Sequence, residues 1–265
     1  MLTNRIRTLL AEGKVPVGHM VWEFKTRGIA SLVAGAGCDF VLIDMEHSGF
    51  DLDVMGDLIA WARGSGLTSV VRVPDMEYHF IARCLDAGAL GIMVPNVESV
   101  AEARRAADFM KYPPRGHRGV GLGHAHTGYT APSDPAAYMA EADAQTFLIA
   151  QMESAAGVAA ADGIAALDGV DCLWVGHFDL STNLGVPGQF DHAKYMEAIR
   201  AVITACRKHG KAAGMQPGSP EQAQWALAQG FNLLSYSADS TLYKRALAEG
   251  IATVKRLAEE GVGKA

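Results

Sequence analysis

Apolar residues in this chain come in short unbroken runs rather than in alternation with polar ones. Eight such runs read as strands: 15–22, 40–46, 68–74, 91–97, 147–153, 172–180, 212–216 and 233–238. Strands without alternation are buried on both faces, which is the habit of a parallel sheet covered by helices. Between the runs lie alanine-rich stretches of helical periodicity, among them 53–64, 78–87, 100–111, 155–165, 193–209 and 220–228. Gly64, Gly88, Gly210 and Gly230 stand where helix C-caps belong. Eight β–α units in a chain of this length predict an α/β fold, a (β/α)₈ TIM barrel, over a single domain, 1–265. An open doubly wound sheet is the alternative. It normally brings a phosphate-binding glycine fingerprint after its first strand, and here Gly119, Gly121 and Gly123 follow no strand.

One connection is out of proportion. Residues 112–145 form a loop and a short helical piece, and loops of that length inside a compact domain are usually functional. Because the segment comes after the fourth strand, it is expected at the same rim as the strand ends. The tail, 255–265, is polar and is expected to close the last helix.

Composition narrows the partners. The chain has 265 residues, 49% hydrophobic and 20% charged, with a net charge of -6 and no long basic cluster. That disfavours nucleic acid or an anionic membrane surface as the main partner. The start of the chain lacks the apolar core of a signal peptide, and no apolar run is long enough to span a bilayer, so a cytoplasmic location is expected. Cys38, Cys84, Cys172 and Cys206 are scattered without C-x-x-C spacing and read as buried free thiols.

Chemistry gathers where the strands end. The run 147–153 finishes on Gln151 and Glu153, and 172–180 carries His177 and Asp179 near its end. Isolated carboxylates are costly to bury. Two readings are open for this pair: N-caps of the following helices, or ligands of a hard divalent cation. The other strands deliver Trp22 and Glu23, then Asp44, Glu46 and His47, then Arg72, Asn96 and Asp239. Each has an ordinary structural role available; converging on one face, they favour a site. No lysine stands at a strand end where imine chemistry would need one: Lys14, Lys25, Lys111, Lys194, Lys208, Lys211 and Lys244 fall in helices or loops.

Asp44-Met45-Glu46-His47, Arg72-Val73-Pro74, Pro95, Tyr112-Pro113-Pro114-Arg115-Gly116-His117-Arg118, Gln151 with Glu153, and Gly176 with Asp179-Leu180-Ser181 occur in an order that resembles the HpcH/HpaI family of class II pyruvate aldolases. The resemblance spans nearly the whole chain. It implies a barrel of the phosphoenolpyruvate/pyruvate type and reversible cleavage of a 4-hydroxy-2-oxo acid to pyruvate, or a related 2-oxo acid, and an aldehyde, in aromatic- or sugar-acid catabolism. It implies Glu153 and Asp179 as ligands of Mg²⁺, Mn²⁺ or Co²⁺, with no nucleotide, no pyridoxal phosphate and no Schiff-base lysine. Gln151 would touch the keto acid, the backbone of Phe178 and Asp179 would hold its carboxylate, and Trp22 would line the substrate site. Arg72 would stabilise the developing oxyanion. His47 would be the general base for the C4 hydroxyl, with Asp86 on its other ring nitrogen. Family members assemble as domain-swapped dimers and hexamers, with the last helix exchanged and sites near interfaces.

The chain departs from its relatives at His177 and Phe178, where smaller or proline-containing pairs are common, and at His124 and His126 in the long loop. Phe178 is expected to narrow the pocket. The His-x-His pair lacks a third zinc ligand nearby in sequence, so aldehyde contacts or loop packing are its expected roles. The competing functions are a metal-dependent 2-oxo acid decarboxylase of the oxaloacetate type, or another carbon–carbon lyase, and a non-catalytic keto-acid-binding barrel.

Overall fold

The computed structural model of the protein describes residues 3–262. Strands β1 (Val17–Val21), β2 (Phe40–Asp44), β3 (Thr68–Arg72), β4 (Gly91–Val94), β5 (Phe147–Met152), β6 (Cys172–Val175), β7 (Ala212–Met215) and β8 (Leu233–Ala238) pair in parallel, each with the next in sequence. β8 pairs with β1 and closes the barrel. The expected barrel is the observed one.

Two apolar cores explain the unbroken runs. Met20, Phe40, Leu42, Val70, Met93, Phe147, Ile149 and Trp174 point inward and fill the barrel. Their neighbours, such as Val41, Ile43, Val71 and Ile92, face outward under the helices. The inner layers mix small and large residues: a Cβ on Gly214 would collide with the Trp174 ring. Helix α1 (Arg5–Ala11) seals the N-terminal end with Ile6, which is fully buried in the inner core.

Outside the barrel run α2 (Ile29–Gly35), α3 (Leu52–Gly64), α4 (Tyr78–Ala87), α5 (Val100–Met110), α6 (Pro135–Gln145), α7 (Ala155–Ala165), α8 (His177–Asn183), α9 (Ala193–His209), α10 (Pro220–Gln229) and α11 (Asp239–Val262). Gly88, Gly210 and Gly230 are left-handed C-caps as expected, whereas Gly64 ends α3 and Ser65 caps it. The sixth strand is shorter than its apolar pattern: it stops at Val175, and the expected strand residues 177–180 form the first turn of α8.

The last helix stands apart. From Tyr243 to Glu260 every residue of α11 is exposed, among them Tyr243, Leu247, Ile251, Val254 and Leu257. Residues 263–265 of the expected closing tail lie outside the described residues. No helix among the described residues is long and apolar enough to cross a membrane. The four cysteines are free; Cys84, Cys172 and Cys206 are buried and Cys38 is half-buried.

Candidate active site

A cavity of about 460 Å³ opens at the C-terminal end of the barrel. Met20, Met93, Gln151 and Trp174 contribute to it from the strands, and Trp22, His47, Arg72, Phe178 and Asp179 line it with them.

Strand register sets the charged part. Asp44 and Arg72 are Cα partners on β2 and β3, so their side chains meet at the same height. Arg72 Nε and Nη2 donate to the two Asp44 oxygens at 2.7 Å each, and Nη1 lies 3.2 Å from Glu46 Oε2. Burial works against the guanidinium's charge, but the hydrogen bond and charge of Asp44, helped by Glu46 and Glu153, hold it above its ordinary value. Arg72 is thus a fixed cation with its fork already oriented.

Glu153 follows β5 and is 4% exposed. The Gln151 amide donates to its Oε1, and the Asn96 backbone N–H donates to Oε2 at 2.9 Å. Asn96 sits at φ 51°, a left-handed conformation that asparagine tolerates, and this turns its amide toward the carboxylate. Burial pushes the Glu153 carboxyl up, and the Asp179 charge adds to the rise. Burial likewise raises Glu46; Arg72 opposes this, and Glu153 reinforces it. Carboxylates crowding one another in a buried place favour a bound cation. A Cβ on Gly176 would strike Glu153 Oε1, so glycine leaves the room that this carboxylate occupies. Among the described residues, no three His, Cys, Asp or Glu side chains gather to cage a metal alone. Two carboxylates with open positions for water and substrate oxygens are nonetheless the usual way Mg²⁺ is held beside a ligand. The donor set fits a hard divalent ion.

Asp179 lies in the first turn of α8, whose Gly176 N-cap offers no side chain to the leading amides. Those N–H groups have no intrahelical acceptor and suit a carboxylate. Phe178 is 62% exposed and packs edge-on against Phe190 at 5.2 Å, forming an aromatic lip. Burial lowers the His177 imidazole, against the pull of Asp179.

The structure brings His47, Arg72, Gln151, Glu153, Phe178, Asp179 and Trp22 to this end of the barrel. Asp86 is elsewhere, which corrects the expected His47–Asp86 contact within one chain. α4 carries the chain back toward the N-terminal rim, and Asp86 lies in its last turn, where it receives Arg118 Nη2 at 2.7 Å. His47, in the β2–α3 connection, has its Nε2 3.9 Å from Glu46 Oε2. The long 112–145 segment is corrected for the same reason. It follows α5 rather than β4, and no residue of it lines the cavity. It packs on α4 instead: His126 Nδ1 bonds the Asp86 carbonyl at 3.1 Å, and Gly119 N–H donates to the Tyr78 hydroxyl at 2.8 Å. Lys111, buried and lowered by desolvation to about 8, bonds Thr146 before β5, away from the cavity. Sequence reasoning missed Gln216, Gln222, Ser237 and Thr241, which complete the cavity wall. Neutral side chains at the ends of β7 and β8 gave no signal.

The profile of the family described as HpcH/HpaI aldolase/citrate lyase matches residues 22–246. A hydroxypyruvate/pyruvate aldolase from Paraburkholderia phytofirmans is 37% identical, over 96% of this chain and 98% of its own. A 2-keto-3-deoxy-L-rhamnonate aldolase from Escherichia coli O157:H7 is 31% identical, over 96% and 94%. The crystal structure of an HpcH/HpaI aldolase from Desulfitobacterium hafniense superposes with a TM-score of 0.89 at 32% identity, over 94% of this chain and 96% of that one. With its barrel closed and its acidic and basic side chains gathered at one rim, the chain belongs to the HpcH/HpaI aldolase/citrate lyase family.

Proposed function

We propose that the protein is a cytoplasmic, divalent-metal aldolase that reversibly cleaves a 4-hydroxy-2-oxo acid to pyruvate, or a close 2-oxo acid, and an aldehyde. The observations that support this reading are the buried Glu153 at the end of β5, close enough to feel the charge of Asp179, the oriented Arg72 fork and the uncapped first turn of α8.

Glu153 and Asp179 would hold Mg²⁺, Mn²⁺ or Co²⁺, which supplies Lewis-acid stabilisation of negative charge on the ketone oxygen. Arg72 donates to that same developing charge without reorganising, since Asp44 already fixes its plane. The α8 amides at Phe178 and Asp179 receive the substrate carboxylate. Gln151 directs its amide nitrogen to Glu153, leaving Oε1 buried and without a partner for the keto acid to meet. His47 removes the C4 hydroxyl proton and returns it in the reverse direction.

Asp86 and His47 belong to opposite ends of one barrel, so the aspartate serves this histidine only from another copy of the chain. An exchanged α11 supplies an assembly. The helix presents Leu247, Ile251, Val254 and Leu257 to solvent, while Val17, Phe24, Ile29, Leu32 and Val33 line an apolar groove of about 480 Å³ beside β1. The reading includes a hexamer built as a trimer of swapped dimers.

The test uses purified protein reloaded with Mn²⁺ and given pyruvate with a short hydroxyaldehyde. A 4-hydroxy-2-oxo acid should form, and His47→Ala should lower its rate by about a hundredfold or more while metal binding persists. No adduct, with rapid CO₂ release from oxaloacetate, would replace the aldolase by a decarboxylase.

A further inference from the structure

Arg72 has more carboxylate around it than its orientation needs. Asp44 alone takes Nε and Nη2, and these two bonds fix the plane of the fork. Glu46 stands on the remaining side, with Oε2 3.2 Å from Nη1 and 3.9 Å from His47 Nε2. That oxygen is buried and forms no hydrogen bond among the described residues. Arg72 and His47 both line the cavity, and Glu46 does not. Its carboxylate therefore lies behind the two, where it meets them rather than a substrate.

The backbone holds Glu46 in that place. Met45 N–H donates to Arg72 O at 2.9 Å, which carries the β2–β3 ladder one residue past the strand. Glu46 N–H donates to Asp44 Oδ1 at 2.9 Å, Ser48 Oγ donates to Asp44 O at 2.5 Å, and Phe50 N–H donates to Ser48 Oγ at 3.0 Å. The His47 side chain is 59% exposed, so burial does not orient its ring, and Glu46 is its ion-pair partner within the chain. Burial raises the Glu46 carboxyl; Arg72 and His47 act to keep it charged, against Glu153 and Asp44. A buried carboxylate oxygen without hydrogen bonds is costly to keep. Set between a fixed cation and a base that becomes one, it is stabilised most when both are charged.

We propose that Glu46 is a positioning residue for the base: its carboxylate, shared between Arg72 and His47, orients the imidazole and offsets the second positive charge that appears when His47 takes a proton beside Arg72. The inference rests on the aldolase reading above and adds to it a residue that touches no substrate. In cleavage the C4 O–H bond breaks, and its proton passes to a ring nitrogen of His47. The oxygen's electron pair completes the aldehyde C=O, and the C3–C4 pair forms the C2=C3 bond of the enolate, whose oxygen Arg72 faces. His47 and Arg72 are then both cations at one rim, and like charges so placed disfavour the transfer. Glu46 lies against both and offsets the repulsion. In the reverse direction the same ion pair returns the proton. Glu46 belongs to the same chain as His47, so its contribution is distinct from that of Asp86, which only another copy could bring.

Glu46→Gln keeps the shape of the side chain and removes its charge. With pyruvate, glycolaldehyde and Mn²⁺, its kcat for aldol formation should fall by about thirtyfold, while KM for pyruvate and the Mn²⁺ affinity in calorimetry stay within about twofold. The calorimetric stoichiometry counts folded sites, so a loss of folded protein does not enter kcat. Glu46→Asp keeps the charge at shorter reach and should fall between Glu46→Gln and wild type. A double-mutant cycle shows through which residue Glu46 acts: in His47→Ala, adding Glu46→Gln should lower the residual rate by less than about threefold. A brace for Arg72 alone predicts losses that multiply. Multiplying losses, a Glu46→Gln kcat equal to wild type, or a loss confined to KM overturns the proposal. If Glu46→Gln does not fold, Glu46→Asp enters the same cycle and is read in the same way. Wild type that forms no adduct brings down the aldolase reading and this proposal with it; an active wild type with multiplying losses brings down the proposal alone.

Discussion

Arg72 is the residue on which the electrostatics of the site turn. It stands between Asp44, Glu46 and Glu153, and its bidentate bond to Asp44 fixes the plane of its fork. Lysine keeps the charge but loses the fork, so Arg72→Lys should lower kcat/KM by about a hundredfold, read from steady-state cleavage rates. Arg72→Ala leaves Asp44 buried and unpaired, and should destabilise the fold by about 3–5 kcal/mol in urea unfolding. Glu153 acts in the opposite sense. Burial raises its carboxyl, so the folded protein favours the protonated form. The resulting stability is full below the ordinary carboxylate range and is lost as pH rises through the raised value. Metal-free Glu153→Gln should therefore melt above wild type near pH ~7.5, with the difference vanishing near pH ~4. A lower melting temperature at neutral pH would show that Glu153 is stabilising rather than strained. Asp44, Arg72 and Glu153 were legible as site candidates because each ends an apolar strand. Ser237 was not, because nothing in its identity marks a left-handed bulge.

At the scale of elements, the junction of β6 and α8 shapes the site. The apolar run continues to Leu180, and from sequence it reads as one strand. Gly176 breaks it, Glu153 fills the space that a Cβ would need, and the first turn of the helix that follows lines the cavity. A helical turn carrying one buried leucine and one buried serine has no periodicity long enough to betray itself. Gly176→Ala should displace Glu153 and weaken Mn²⁺ binding by about tenfold in calorimetry, with the barrel's circular dichroism retained. Unaltered affinity would remove Glu153 from the metal site. The loop 112–145 teaches a related lesson. Its length marked it as irregular, but its rim depends on counting α5, which reverses the chain before the loop begins.

At the scale of the whole molecule, His47 and Asp86 stand at opposite ends of one barrel. Barrel topology was readable because eight apolar runs and their helices repeat; the distance between His47 and Asp86 was not, since it follows from the direction of α4. If Asp86 of one copy serves His47 of another, mixing His47→Ala with Asp86→Ala chains rebuilds intact sites. Each single variant should be nearly inactive, and co-refolded mixtures should recover a substantial part of wild-type activity, up to about half of the sites in mixed pairs. Recovery no greater than the sum of the separate variants would confine Asp86 to its bond with Arg118. Placing charges on the exposed α11 stripe, as in Leu247→Asp with Ile251→Asp, should shift the mass measured by light scattering toward the monomer. An unshifted mass would mean that this face does not hold the assembly together.

The central claim is that Glu153 and Asp179 hold a divalent metal against which the keto acid is bound. The most direct measurement is a crystal soaked with Mn²⁺ and pyruvate, with diffraction recorded to show the metal's anomalous signal. One strong peak is expected between the Glu153 and Asp179 carboxylates, with pyruvate touching it and the pyruvate carboxylate at the first turn of α8. A peak elsewhere, or pyruvate bound with these two carboxylates free of metal, would contradict that claim.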